Sequence, residues 1–334
     1  MESVSDSAEC SVLPVLGIDI ARRKMDVAVR AKGRTGAFKF KTFANEVAGF
    51  SALAAWLAGH GLKIVHAVME ATGSDGEALA VWLTDAGHRV SVINPAQIKG
   101  FGQSLLVRNK TDKADSRMIA LFGEAHRPPP WQPPAPEVRQ LQAWVRRLIA
   151  LQDLKTQEDN RLPTANAVVQ PSIQSIIAVL TNEIYTVKQR IRDHFNQHPG
   201  LKAQADLLDS IPGIGEATIA SLLAFLGDVS RFAHAKQLAA FAGLTPRQFQ
   251  SGSSVRGATH LSKAGNPWLR RALYMPALTA VRHNPLIKAF YLRLRANGKP
   301  AKSALAACMR KLLHIIFGVL KSQTPFNPNH PLPS

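Results

Sequence analysis

The chain has 334 residues, 46% of them hydrophobic and 19% charged, a balance that suits a folded protein of two domains and excludes a disordered or fibrous one. Its two cysteines, Cys10 and Cys308, exclude a disulfide framework and a cysteine zinc site, and fit a reducing cytoplasm. Net charge is +18, and residues 229–334 contain no Asp or Glu at all, so the second half carries the electrostatic footprint of a nucleic-acid partner.

In chain order, Val12 to Ile20 is a short apolar run containing Asp19, which predicts a buried strand. Asp26–Ala31 and Ala37–Phe43 alternate around the turn-rich residues 32–36, which predicts a three-stranded antiparallel meander. Asn45 is expected to cap a helix to Gly59, with Phe50, Leu53, Trp56 and Leu57 on its apolar face. A strand over Lys63–Met69 leads to Glu70, a helix from Gly73–Ser74 to Asp85 follows, and the strand Arg89–Ile93 stops at Asn94-Pro95. A crossover after the meander lays the fourth strand parallel to the first and brings Asp19 beside Glu70. No G-x-G-x-x-G follows the first strand, against a dinucleotide-binding fold.

Residues 108–120, RNKTDKADSRMIA, start a helix with Asp112 and Asp115 three apart and therefore on one face. Arg108, Lys110, Lys113 and Arg117 surround them, keeping both carboxylates ionised and offering contacts to a polyanion. Each acid alone has a bland reading: a strand-end residue, a helix cap, a surface ion-pair partner. Together, Asp19, Glu70, Asp112 and Asp115 offer oxygen ligands suited to Mg²⁺ or Mn²⁺, in the manner of a two-metal phosphodiester site.

Residues 127–136 hold six prolines and read as a stiff linker. Residues 137–200 have helical composition interrupted at Pro163 and Pro171, which predicts two long helices in a coiled-coil-like hairpin, either a dimer arm or a spacer. Leu207–Leu226 has the pattern of a helix-hairpin-helix motif turning at Pro212-Gly213-Ile214-Gly215, where close backbone approach and a helix N-terminus suit a phosphate. Next come a hydroxyl-rich loop with Ser251, Ser253 and Ser254, the cations Arg256, Lys263, Arg270 and Arg271, and apolar helices to about Leu320. Spacing does not separate the three serines as nucleophiles, and a plain phosphate-binding loop is the blander reading. The tail 322–334 is expected to be disordered. The polar start predicts no signal peptide, and no uncharged apolar run reaches the length of a membrane span.

The motifs GIDIARRKMDV, MEATG, VINPAQIKGF, RNKTDKADSRMIA, SIPGIGEATIASLL, FAGLTPRQFQSGSSVRG and LSKAGNPWLRRALYMPA stand in an order that resembles the DEDD-type insertion-sequence transposases, the group described as bridge-RNA-guided serine recombinases. The resemblance runs from Gly17 to about Leu320. It implies a RuvC-like, ribonuclease-H-like domain over 12–126, a linker over 127–136, a helical coiled-coil region over 137–200 and a mainly helical transposase domain over 201–321. It implies that Asp19, Glu70, Asp112 and Asp115 are the acidic positions holding Mg²⁺, and that Ser251 is the nucleophile forming a covalent phosphoserine link to DNA. Gly213, Gly215, Arg256, Lys263, Arg270 and Arg271 are the expected nucleic-acid contacts. The implied partners are donor and target DNA, a guide RNA that pairs with both, and further copies of the chain, as a dimer assembling to a tetramer in the bacterial cytoplasm. Two other readings are a metal-dependent, structure-selective nuclease acting through water, and a helix-hairpin-helix binding protein whose acids are structural.

Overall fold

A computed structural model describes residues 13–31, 36–71, 73, 75–105, 111–247, 250–251, 255–256 and 260–329, with only the backbone of 250, 251, 255 and 256. Two compact units divide between Pro133 and Pro134.

The first unit is built on a five-stranded sheet in the order β3-β2-β1-β4-β5. Strands β1 (Val15–Ile20), β2 (Lys24–Val29) and β3 (Lys39–Ala44) form an antiparallel meander, and β4 (His66–Glu70) and β5 (Arg89–Ile93) run parallel to β1. Strand parity sorts the side chains into two layers. Leu16, Ile18 and Ile20 pack with Phe50, Leu53 and Leu57 of α1 (Val47–Gly59) and with Leu79 and Leu83 of α2 (Glu77–Asp85). Val15 and Val68 point the other way, into a core with Ile98 of α3 (Pro95–Ser104) and Met118, Ile119 and Phe122 of α4 (Asp112–His126).

That second layer positions the acids. Residues Ser116, Ala120 and Gly123 of α4 are small, and β1 meets them with Gly17. A methyl group on Gly17 would fall on the Ser116 carbonyl and the Ala120 amide, and one on Gly123 would press Val15 and Val68 at 2.7 and 2.8 Å. Small residues on both sides let helix and strand backbones touch. The N-terminus of α4, where Thr111 Oγ1 accepts a bond from the Ala114 amide at 3.2 Å, then lies against β1 and β2.

The second unit is helical, apart from two short antiparallel pairs, β6 (Pro246–Arg247) with β9 (His260–Leu261) and β7 (Gln250–Ser251) with β8 (Val255–Arg256). Helices α5 (Pro136–Arg161) and α6 (Gln170–Gln197) form the hairpin, with Pro163 in its turn and Pro171 at the start of α6, where a missing N–H costs nothing. Beyond it lie α7 (Pro199–Asp209), α8 (Glu216–Leu226), α9 (Ala235–Phe241), α10 (Pro267–Ala272), α11 (Tyr274–His283), α12 (Pro285–Ala296) and α13 (Ala301–Ser322). Helix α13 is long and apolar enough to cross a membrane, yet 61% of its most apolar window is buried inside the unit.

Several sequence expectations change. Asn45 does not cap α1: its amide donates to the carbonyls of Ala21 and Asp75, and Glu46 stands at the cap without a side-chain bond. The proline-rich segment is fastened to β5 rather than spanning freely, since Arg89 donates to the Pro128 carbonyl, Ser91 to that of Pro129, and Trp131 N–H to Val90. The coiled-coil hairpin shares its core with the helices that follow, through Leu141, Val145, Leu148, Val187, Ile191 and Phe195. The tail is ordered to Asn329, where Phe326 packs on that core and its N–H donates to Ser210 Oγ at 2.8 Å. Residues 330–334, Val12, Ser74, residues 32–35, Arg108, Lys110, Ser253 and Ser254 lie outside the described residues.

Candidate active site

Asp19 sits on β1 one residue beyond Ile18, which pairs with Met69 of β4; Asp19 and Glu70 are therefore neighbours on adjacent parallel strands, on the face that carries α4. Strands this close lie roughly 5 Å apart. Across the other edge of β1, the tight turn at 21–23 sets Asp19 opposite Asp26. Asp26 is 8% exposed and accepts hydrogen bonds from Thr42 Oγ1 and Lys24. From α4 come Asp112, exposed in its first turn, and the half-buried Asp115.

The electrostatics show what this arrangement does. Burial pushes the Asp19 carboxyl above its ordinary pKa, and the charges of Asp115, Asp112 and Asp26 push it further, against the opposing pull of Lys24. Lys24 Nζ lies between two carboxylates, paired with Asp112 and 3.1 Å from Asp26 Oδ2. Its hydrogen bonds to them raise its own pKa to about 12 and lower that of Asp112. The site is thus a set of like charges partly balanced by the exposed ammonium group of Lys24.

Neither Lys24 nor Asp26 stood out in the sequence. The available signal was the short turn between Ile20 and Lys24, which fixes the register and with it the partner of Asp19.

In the second unit, helix, hairpin and helix follow as the sequence suggests, but the hairpin faces inward. Gly213 has φ +101°, and a methyl on it would come within 2.8 Å of the Ala280 amide on α11. Ile211 and Ile214 are buried, and Asn284 Nδ2 donates to the Pro212 carbonyl at 3.4 Å. Gly213 is required here for packing. Among the described residues no atom would obstruct a methyl on Gly215. Glu216, at the N-terminus of α8, forms a bidentate pair with Arg192, so that terminus already has its anion.

The expected cations are partly engaged. Arg271 grips Asp153 with both guanidinium nitrogens, and Arg270 donates to the Ala242 and Lys263 carbonyls. Lys263 is exposed, at φ +54°. Ser251 and Arg256 lie on β7 and β8, facing Val255 and Gln250, while their side chains are outside the described residues. Arg282, Lys288 and Arg293 on α11 and α12 are exposed basic residues that the sequence motifs did not single out.

A mixed sheet with acids at one end of its central strands and on a packed helix, followed by a helical region, is consistent with a ribonuclease-H-like DEDD nuclease core. A DEDD-type IS110 transposase model matches residues 16–165, and the transposase model of the IS116/IS110/IS902 family matches 205–292. A pilin gene-inverting protein of Moraxella bovis is 34% identical over 315 residues, covering 93% of this chain and 97% of that one. An IS110 protein of Streptomyces coelicolor is 31% identical over 49% of this chain and 39% of its own length. The IS1111A transposase of Coxiella burnetii is 30% identical over 47% and 44%. The chain belongs to the IS116/IS110/IS902 family of insertion-sequence transposases, a family whose members bind DNA and cut and transfer its strands.

DEDD transposase domains typically use divalent metal ions. The donors present are all carboxylates, mutually repelling, with an ammonium group lodged among them, which is the chemistry a hard dication fits. Among the described residues no three such side chains stand close enough to hold an ion, and Asp112 is paired with Lys24.

Proposed function

We propose that the protein is a recombinase that moves its own element, with Asp19, Glu70, Asp112 and Asp115 as its metal-binding acids and Ser251 as its nucleophile. The observation that carries the reading is the meeting of Asp19 on β1 with Asp112 and Asp115 in the first turn of α4, where burial first and then the charges of Asp115 and Asp112 raise the Asp19 pKa. Asp112 and Asp115, 93 and 96 positions beyond Asp19, have been brought to it as like charges, at a cost that a structural ion pair would not incur. Mg²⁺, or Mn²⁺, held by these carboxylates would supply positive charge where negative charge builds on the reacting phosphate.

The chain's own residues then have these roles. Ser251 Oγ forms a bond to phosphorus and gives up its proton; the bond from phosphorus to one bridging oxygen breaks, and that oxygen leaves as a hydroxyl after taking up a proton. The phosphoserine link conserves the energy of the broken bond, and attack by the hydroxyl of another strand releases the serine. Inversion of a gene, the act in the name of the Moraxella relative, requires ends to be rejoined as well as cut. That supports strand exchange over hydrolysis here. Guidance by an element-encoded RNA, assembly of a dimer into a tetramer and a cytoplasmic location follow from the resemblance to bridge-RNA-guided recombinases. Lys263 and Arg256, with the basic faces of α11 and α12, are the proposed nucleic-acid contacts; Arg270 and Arg271, already engaged with the Ala242 and Lys263 carbonyls and with Asp153, are the less available cations.

The test combines purified protein, RNA transcribed from the regions flanking its gene, and labelled element-end and target DNA with Mg²⁺. On a denaturing gel, wild type should give a labelled band at protein mass, absent for Ser251→Ala and for Asp112→Ala. Cut DNA without an adduct, unchanged in Ser251→Ala, would instead establish hydrolysis by water and overturn the serine assignment.

A further inference from the structure

Strand β3 is the open edge of the sheet beside the acidic site, and its outer positions are unusual. Register places Thr42 opposite Asp26 and Phe40 opposite Ala28, so Thr42, Phe40 and Phe38 share the face that carries Asp19 and α4. Phe40 is 38% exposed, two residues from the Thr42 that bonds Asp26, a separation of roughly 7 Å along the strand. Phe38, half-buried against the core under α4, lies 6.0 Å from it, ring to ring. Arg30 sits over the Phe38 ring at 4.2 Å and Arg117 of α4 at 5.5 Å. Lys113, four residues before Arg117, lies on the same face of α4. Lys39 and Lys41 border the strip from the other side of the strand, and β3 carries no acidic residue.

A single exposed phenylalanine is ordinary on a protein surface, and lysines on an edge strand deter unwanted pairing. Neither explains an exposed ring at Phe40 continued by the half-buried Phe38, in line with the carboxylates and flanked by guanidinium groups. Aromatic faces interleaved with cations are the chemistry that holds an unpaired nucleic-acid strand: rings stack on bases and cations meet phosphates. We propose that Phe40 and Phe38 form a stacking platform for unpaired nucleotides next to the scissile position, with Lys113 and Arg117 on the adjoining phosphates. The proposal rests on the reading of the acidic cluster as the active site. It adds that the strand arrives single-stranded along the β3 edge, so the duplex must already be opened there.

The test uses full-length protein in EDTA, so that binding is read without strand chemistry. Matched single-stranded DNA and RNA oligonucleotides carrying 5-iodouracil are cross-linked by ultraviolet light, and the adducts are mapped by peptide mass spectrometry alongside anisotropy titrations. The expected adduct lies on the peptide containing Phe38 and Phe40, and the oligonucleotide that gives it, DNA or RNA, identifies the source of the strand. Phe40→Leu should weaken binding about tenfold, the scale of one lost base–aromatic stack, and Phe40→Trp should restore it. Adducts confined to the helical unit, or wild-type affinity in Phe40→Leu, would overturn the platform. Adducts at Phe40 in a protein that shows no strand chemistry with Mg²⁺ would overturn the active-site reading and leave the platform standing.

Discussion

The two ends of the face of the sheet that α4 covers use buried polar groups in opposite ways. At one end of β4, His66 is 4% exposed and its Nε2 lies 2.8 Å from Ser91 Oγ, which in turn lies 2.7 Å from the Pro129 carbonyl. Ser91 has one proton to give, and the carbonyl can only accept. His66 must therefore carry its proton on Nε2, completing a relay that fastens the proline-rich segment to β5. At the other end, Asp19 stands beside Glu70, and burial first, then the charges of Asp115, Asp112 and Asp26, raise its pKa against the partial balance of Lys24. The same strands thus carry polar groups matched to one another at one end and mismatched at the other. Matched groups fix a structure, whereas like charges gathered at one end are the pattern expected of a functional site.

The largest effect tests the mismatched end. Asp112→Asn should lower strand cleavage by roughly 10²–10³-fold, measured on labelled DNA, with little change in thermal stability, because the side chain is exposed. Gly17→Ala probes what holds the two ends together: its methyl would strike the backbone of α4, costing about 1–3 kcal/mol and displacing Asp112 and Asp115, so melting temperature and activity should fall together. At the matched end, burial and then the Arg89 charge lower the His66 pKa to about 4, from an ordinary 6.5. The unfolded chain binds the proton first, so stability is complete above about pH 6.5 and declines as the pH falls toward 4. His66→Asn should flatten that decline, seen as a loss of a few degrees in the pH dependence of melting. The smallest effect belongs to Arg271→Ala: an exposed pair with Asp153 contributes about 0–1 kcal/mol, and the variant should melt within a few degrees of wild type.

Most of the matched architecture was legible in the sequence because strand parity and helix spacing are local signals. The apolar run ending at Ile20, the alternation of residues 26–31 and the three-residue spacing of Asp112 and Asp115 are enough to place the meander, the first strand and the acids of α4. The small residues 116, 120 and 123 gain their meaning only once β1 is seen against them. The mismatched details were not legible. That Lys24 reaches Asp112, 88 positions away, depends on the turn register and the docking of α4 together. The pairing of Arg271 with Asp153 spans 118 positions, and the attachment of the proline-rich segment runs through backbone carbonyls that no side-chain pattern reveals. The helix-hairpin-helix pattern points to backbone donors for a phosphate, whereas Gly213 serves a close approach to α11 that only the packed helices show.

The central claim is that the acids around Asp19 are held apart by charge until a dication binds. Thermal melting of the full-length protein with and without Mg²⁺, for wild type, Lys24→Met and Asp112→Asn, tests it most directly. The account predicts that Mg²⁺ raises the melting temperature of wild type and does so more strongly in Lys24→Met, whose metal-free form has lost that balancing cation. In Asp112→Asn the rise should be small. Equal shifts in all three proteins, or none in wild type, would contradict it.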